Sequence, residues 1–264
     1  CSMSDVPHVL GLDVSSYQGH NLPLKAVYDL GARFVYVRSS VGFEKDACFE
    51  ETVKRAADAG LKIGAYHYFH ADKPFFTQSS MLEEACETID RIAGAHLNAW
   101  LDVERLPPSM TALALLESCE DFYNAFHMGE LMLYSYPTFL AQLRAQAGTS
   151  YDALLVDNFH ELAIAHYGVQ KPMMPPGYTN CVMWQYDGNG GERLPDGRDC
   201  DWVYFNGNEA AFERWVKGEP EPPVAPPAMS PPANLAAWAK TINLTTRTRE
   251  EDDRAADERG RGRD

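Results

Sequence analysis

Two acids stand two residues apart in Trp100-Leu101-Asp102-Val103-Glu104. The run from Asn98 to Glu104 reads as a short strand. Side chains on a strand alternate faces, so Trp100, Asp102 and Glu104 share one face, and Leu101 and Val103 share the other. The Cα atoms of the two acids then lie roughly 7 Å apart. Arg105 points to the opposite face and does not neutralise them. Two like charges converging beside a large aromatic cost stability unless one is protonated or both are used. The plain alternative is a strand end carrying two solvated acids, and the other elements of the chain have to decide between these readings.

Those elements alternate. Strand patterns occur at Val9–Ser15, Arg33–Arg38, Leu61–Phe69, Asn98–Glu104 and Glu130–Ser135. Helix patterns lie between and after them, at Leu22–Leu30, Phe49–Ala59, Thr77–Ala93, Thr111–Phe126 and Pro137–Gln146. Strand–helix alternation at this spacing predicts parallel βαβ units and an α/β fold. The rhythm then changes. Tyr151–Asp157, Cys181–Tyr186 and Asp201–Phe205 read as three further strands, but Pro172, Pro175, Pro176 and Gly177 break the first connection and a Gly-rich stretch fills the second. The expected fold is an irregular eight-stranded TIM-like (β/α) barrel with reduced helices after strand five, closed by a helix at Glu209–Val216.

In such barrels the active site lies at the C-terminal ends of the strands. Asp13 ends the first strand, and Asp102 and Glu104 end the fourth. Asp201 opens the eighth, which an irregular barrel presents from either end. Tyr66, Tyr134, Trp184 and Tyr186 fall at similar positions. Aromatic faces for stacking on sugar rings, with acids at the centre, are what a glycosidase cleft needs. Its chemistry requires one carboxyl group kept protonated as general acid, and a second anionic group to stabilise an oxocarbenium-like transition state or to attack it.

Composition narrows the alternatives. A chain of 264 residues, 45% hydrophobic, is long enough for one barrel with a sizeable core. A net charge of −15 argues against nucleic-acid binding, which calls for a basic face. No apolar run approaches the roughly 20 residues of a membrane span. The residues from 219 to 234 are dense in proline and read as an extended linker. Residues 235–264 are a weakly apolar and then densely charged tail, expected to be disordered. The barrel domain is thus assigned to residues 1–218.

Cys1, Cys48, Cys86, Cys119, Cys181 and Cys200 show no zinc spacing, and no metal or cofactor is expected. Cys48, Cys86 and Cys119 fall in helical segments as small buried residues. Cys181 and Cys200 flank a Gly-rich turn between two strands. A disulfide between them would close a loop of about 20 residues, worth about 3 kcal/mol, and non-bonded thiols are the alternative. At Cys1 three readings compete: a processed signal peptide, a lipid-modified N-terminal Cys, or an artificial start. His160-Glu161 and His166 imitate a zinc-protease motif, but the second His comes too late for H-E-x-x-H, and i and i+6 fall on different helix faces. Asn243-Leu244-Thr245 matches a glycosylation sequon, meaningful only in a eukaryotic secretory pathway.

At the same residues the chain resembles the family 25 glycoside hydrolases, the Chalaropsis-type muramidases of bacteria, fungi and phage endolysins. The similarity is carried by Gly11-Leu12-Asp13-Val14-Ser15 with Gln18-Gly19, by Val37-Arg38-Ser39-Ser40-Val41-Gly42, and by Ala59-Gly60-Leu61-Lys62-Ile63-Gly64-Ala65-Tyr66-His67-Tyr68. It continues through Gln78, Leu101-Asp102-Val103-Glu104, Leu133-Tyr134-Ser135, Trp184-Gln185-Tyr186 and Asp201-Trp202, in the family's order over about residues 9–217. The resemblance implies cleavage of the β-1,4 bond between N-acetylmuramic acid and N-acetylglucosamine in peptidoglycan. It implies Glu104 as proton donor, and Asp102 as nucleophile or as the group that steadies a substrate 2-acetamido group in attack. Asp13 and Asp201 are implied as flanking acids, and Tyr66, Tyr134, Arg38 and Trp184 as saccharide contacts. The partners expected are glycan strands of peptidoglycan, met by a monomer that is secreted or released to the cell wall.

The chain also departs from the family. Arg38-Ser39 replaces the Lys and Thr frequent in relatives, which keeps the charge but presents a rigid fork. Leu154-Leu155-Val156-Asp157-Asn158-Phe159 lacks a Trp that relatives carry and gains Asp157, which would shift the pH optimum if it faced the cleft and is a solvated acid if it points outward, the favoured reading. Two rival functions stay open: a non-catalytic saccharide-binding or virion module on the same fold, and a hydrolase of another acetamido sugar such as chitin.

Overall fold

The computed structural model describes residues 7–188 and 191–219. The chain divides into two units at Pro231/Pro232, and all described residues belong to the first. From residue 220 onward, the proline-rich linker and the charged tail lie outside the described residues.

Eight strands close into a ring: β1 (Val9–Val14), β2 (Phe34–Val41), β4 (Lys62–Tyr68), β5 (Ala99–Asp102), β6 (Leu131–Ser135), β7 (Leu162–Ala165), β8 (Met183–Asp187) and β9 (Asp201–Phe205). The order runs β1-β9-β8-β7-β6-β5-β4-β2, and β1 pairs with β2 to complete the closure. A two-residue strand, β3 (Glu44–Lys45), folds back on β2 as a hairpin. All barrel pairings are parallel except those of β9, which is antiparallel to both β8 and β1. The helices are α1 (Leu24–Asp29), α2 (Phe49–Ala59), α3 (Phe75–Ala93), α4 (Ala112–Ala125), α5 (Pro137–Ala147) and α6 (Glu209–Val216). Among the described residues no helix separates β7 from β8 or β8 from β9. This is the irregular barrel with thinned helices that the sequence predicts.

The strands read as nearly continuous apolar runs because both faces are covered. On the outer face Leu12, Val35, Val37, Ile63, Leu101 and Leu133 pack with Leu82, Ile89 and Leu116 of the helices. On the inner face Phe34, Tyr36, Tyr66, Trp100, Met132 and Tyr134 fill the barrel. Trp100 is sandwiched, its ring 3.7 Å from Tyr36 and 5.3 Å from Tyr134, both nearly parallel to it. Two inward positions are glycine for want of space. A Cβ on Gly11 would lie 2.3 Å from the Phe34 ring, and one on Gly64 would lie 2.3 Å from that of Tyr36.

One sequence expectation is corrected and one open alternative is decided. Tyr151–Asp157 is not a strand: Asp152–Val156 is a wide helical turn, and the sixth barrel strand is Leu162–Ala165. A short apolar run has no periodicity to separate strand from helix, and the four-residue run Leu-Ala-Ile-Ala is too short to stand out. Asp157 accordingly sits exposed on that turn. Nor is a disulfide formed at Cys181, which is a free, buried thiol. Antiparallel pairing explains this. Met183 pairs with Phe205 and Asp187 with Trp202, so the starts of β8 and β9 lie at opposite ends of their ladder. Cys181 and Cys200 are thus about 20 Å apart along the strands, far beyond the reach of a disulfide.

Candidate active site

The register of the ladder places the four acids. Gly11↔Phe34, Tyr66↔Trp100 and Trp100↔Met132 form levels within the barrel. One step toward the C-terminal ends, Asp102 pairs with Tyr68 on one side and Tyr134 on the other. Asp102 follows Trp100 by two residues and therefore also faces inward. Asp13 follows inward Gly11 on β1 in the same way. Asp201 comes to the same end because β9 runs backward: its first residue is in register with Asp13, near the last of β1. Val203 and Phe205 fill the inner core, so Asp201 points inward too. Asp13 and Asp102 are fully buried and Glu104 is 7% exposed.

Hydrogen bonds fix Glu104 just beyond its strand. Val103 N–H donates to Tyr134 O at 2.9 Å, and Ser135 Oγ donates to Val103 O at 2.7 Å. Tyr136 Oη donates to the Glu104 carbonyl at 3.2 Å. The Tyr136 phenol is pushed up to about 12, chiefly by burial and further by the charge of Glu104, so it stays a neutral donor beside that acid.

A second network holds Asp13. Gln185, inward on β8, donates from Nε2 to Asp13 Oδ2 at 2.5 Å. Its Oε1 accepts from Tyr134 Oη at 2.7 Å and from Tyr167 Oη. Three donations fix both the amide orientation and the phenol rotors. Gly188 leaves room here, since a Cβ on it would fall 2.8 Å from Asp201 Oδ1 and 3.2 Å from the Tyr167 ring. Gln185, Tyr136 and Tyr167 are the site residues that sequence reasoning missed. Gln185 was legible as the residue between Trp184 and Tyr186 on the opposite face; nothing local marks Tyr167.

The residues read as saccharide contacts divide. Tyr66 and Tyr134 face inward beside the acids but are 0% and 1% exposed. Tyr134 acts on Gln185, and Tyr66 underlies Tyr68. Arg38 also faces inward, 6% exposed, with Nε donating to Asp46 Oδ2 at 2.9 Å and Nη2 to Ser16 Oγ at 3.1 Å. Asp46 in turn accepts from the amides of Ser16 and Cys48, so this buried pair ties the β2–β3 hairpin to the end of β1. Trp184 is not brought to the site. It lies in the outer cluster, and its Nε1 donates to His166 O at 2.9 Å.

The reading of His160-Glu161 and His166 also resolves. Glu161 lies at the start of β7, at the opposite end of the barrel, accepting from Asn98 Nδ2 at 2.8 Å and from Trp215 Nε1 of α6 at 2.7 Å. Burial raises its carboxyl above the ordinary value. His166 Nδ1 accepts from Met173 N–H, so these residues do not converge on one point. His67 faces the helices, between Ser40 Oγ at 2.8 Å and Gln78 Oε1 at 3.0 Å. Gln78 Oε1 also accepts from His70 N–H, while its Nε2 donates to the carbonyls of His70 and Lys73. Through Gln78 the loop from His70 to Pro74 is fastened to β4.

Comparison with known proteins identifies the family of the chain. The chain matches the description of the "Glycosyl hydrolases family 25" over residues 12–193. It is 26% identical over 221 residues to "Lysozyme M1" of Streptomyces globisporus, across 78% of this chain and 71% of that one. It is 29% identical over 186 residues to the "Autolytic lysozyme" of Clostridium acetobutylicum, across 68% of this chain and 51% of that one. The crystal structure of a bacterial lysozyme from Streptomyces coelicolor shares the fold at a TM-score of 0.65 and 23% identity, covering 82% of this chain and all of that one. The matched span runs from β1 past β8 and takes in Asp13, Asp102 and Glu104, so the chain belongs to family 25 of the glycosyl hydrolases and is a glycoside hydrolase.

Proposed function

We propose that the protein is a muramidase that cleaves the β-1,4 bond between N-acetylmuramic acid and N-acetylglucosamine in peptidoglycan, at the mouth ringed by Asp13, Asp102, Glu104 and Asp201. The observation that carries this reading is the gathering of four acids, from both ends of the sequence, at one end of one barrel. The two relatives named as lysozymes support the substrate class.

In this reading Glu104 gives its proton to the glycosidic oxygen as the bond from C1 breaks. Either Asp102 attacks C1 directly, or Asp102 steadies the 2-acetamido group, whose oxygen attacks instead. Water then displaces that group and returns a proton to Glu104. Asp13, oriented by Gln185, and Asp201 hold negative charge opposite the developing oxocarbenium ion. The stacked Tyr36–Trp100–Tyr134 floor is rigid, which keeps the carboxyl groups from relaxing away from their positions.

The test is release of reducing sugar from purified peptidoglycan by wild type and Glu104→Gln. The variant should lose at least a hundredfold in kcat, since general acid catalysis contributes about 10²–10⁴-fold. Equal activity would remove Glu104 from its role. Binding without cleavage by the wild type would favour the non-catalytic module, and preference for chitin oligomers would favour another acetamido-sugar hydrolase.

A further inference from the structure

The mouth of the barrel carries a feature the acids do not use. Val41, the last residue of β2, is in register with Tyr68, which is in register with Asp102. The turn of the β2–β3 hairpin, Gly42-Phe43, therefore begins one step beyond the level of Asp102. Gly42 has φ of 54° at the first of the two turn positions, as a tight hairpin of this kind requires. Its missing side chain matters as well. A Cβ there would lie 3.0 Å from His70 Nδ1 and 3.2 Å from Lys73 Nζ, so the loop of His70 and Lys73 closes directly onto the hairpin.

Lys73 is thereby held in an unusual setting. Its ammonium lies 5.4 Å from the centroid of the Phe43 ring. Arg38, Lys45 and Arg105, also at this end, each face a carboxylate: Asp46, Glu84 and Asp72 respectively. Lys73 faces an aromatic ring, whose quadrupole orients a cation without neutralising it. The backbone on both sides is fixed, by the hairpin ladder and by Gln78. Phe43 is 44% exposed and Phe76, on the first turn of α3, is 68% exposed. Among the described residues Lys73 has no carboxylate partner, and in a chain of net charge −15 such a cation beside exposed apolar surface at the mouth suits a ligand that is anionic and partly apolar.

We propose that Lys73, seated on Phe43, binds a carboxylate of the peptide stem borne by the muramic acid residue, with Phe43 and Phe76 receiving the stem's methyl groups. This rests on the muramidase reading. The stem makes intact strands better substrates than bare glycan, and Lys73 is the specificity determinant.

The test compares kcat/KM on intact strands with kcat/KM on the same strands after amidase removal of the stems, for wild type, Lys73→Gln and Phe43→Ala. The ratio of intact to stripped should fall about two- to fivefold in Lys73→Gln, the range for an exposed ion pair, through KM rather than kcat. Phe43→Ala should lower it in the same direction, and added salt should erode the wild-type preference. An unchanged ratio in Lys73→Gln would overturn the proposal. So would equal loss on both substrates, which would assign Lys73 to the lactyl carboxylate that the amidase leaves behind. If wild type cleaves neither substrate, the muramidase reading fails instead, and the two failures are told apart.

Discussion

His67 is one of the buried groups through which the protein responds to acid. Its imidazole is fully buried, and burial holds its pKa at about 4, against 6.5 for an exposed histidine. Gln78 Oε1 can only accept, so His67 donates from Nε2, and Nδ1 accepts from Ser40 Oγ. A second proton would force the Ser40 hydroxyl to turn from donor to acceptor and would place a charge in the helix–strand core. The folded state therefore refuses a proton that the unfolded chain takes up. The contribution is fully present above pH 6.5 and is lost as pH falls toward 4. A shift from 6.5 to about 4 corresponds to about 3 kcal/mol in all, and about 2 kcal/mol of it is gone by pH 5. The assay is urea unfolding at intervals from pH 7 to pH 4, on wild type and on His67→Gln, which cannot titrate. The variant should start less stable at pH 7, because its amide does not reproduce both bonds. The gap should then close by about 2 kcal/mol at pH 5, since the other titrating groups cancel between the two proteins. Parallel curves would refute the reasoning and remove His67 as an acid-sensitive element of the core.

Other expectations follow from single contacts. Gly64→Ala drives a Cβ into Tyr36, which cannot retreat because it stacks on Trp100 and its hydroxyl donates to Asn98 O at 2.8 Å. The cost should be about 1–3 kcal/mol, seen as a fall of several degrees in Tm; an unchanged Tm would contradict the tight inner packing. Gln185→Leu removes one partner each from Asp13, Tyr134 and Tyr167. A disturbed buried hydrogen bond of about 1–3 kcal/mol predicts a fall in kcat of about 5- to 150-fold with the circular dichroism spectrum retained, and full activity would sever Gln185 from the chemistry. Glu161→Gln leaves one of the Asn98 and Trp215 donors without its acceptor, costing about 1 kcal/mol at acid pH. The wild-type carboxyl, raised by burial, gives its stability below about pH 4.5 and loses it as pH rises through the folded value. Calorimetry should therefore show the variant gaining on wild type between pH 4 and pH 7, and the reverse trend would contradict the sign.

The sequence by itself determined more of this protein than its fold class. Alternation of faces along the strand at Asn98–Glu104 put Asp102 and Glu104 on one side, and position at the end of the first strand singled out Asp13, before any contact was known. Local signals also bounded α2 and α6, whose residues are those expected. Where a run was short and apolar, as at Tyr151–Asp157 against Leu162–Ala165, the local pattern had no period to read, and tertiary closure chose the strand. Alternation says which face a side chain takes, not which direction its strand runs. Only closure of the barrel, with β9 lying antiparallel between β8 and β1, brought Asp201 level with Asp13 and separated Cys181 from Cys200. The same holds for Gln185: its hydrogen bond to Asp13 spans 172 positions in the chain. Such contacts are set by where the sheet joins itself, a property of the whole ring that no local stretch encodes.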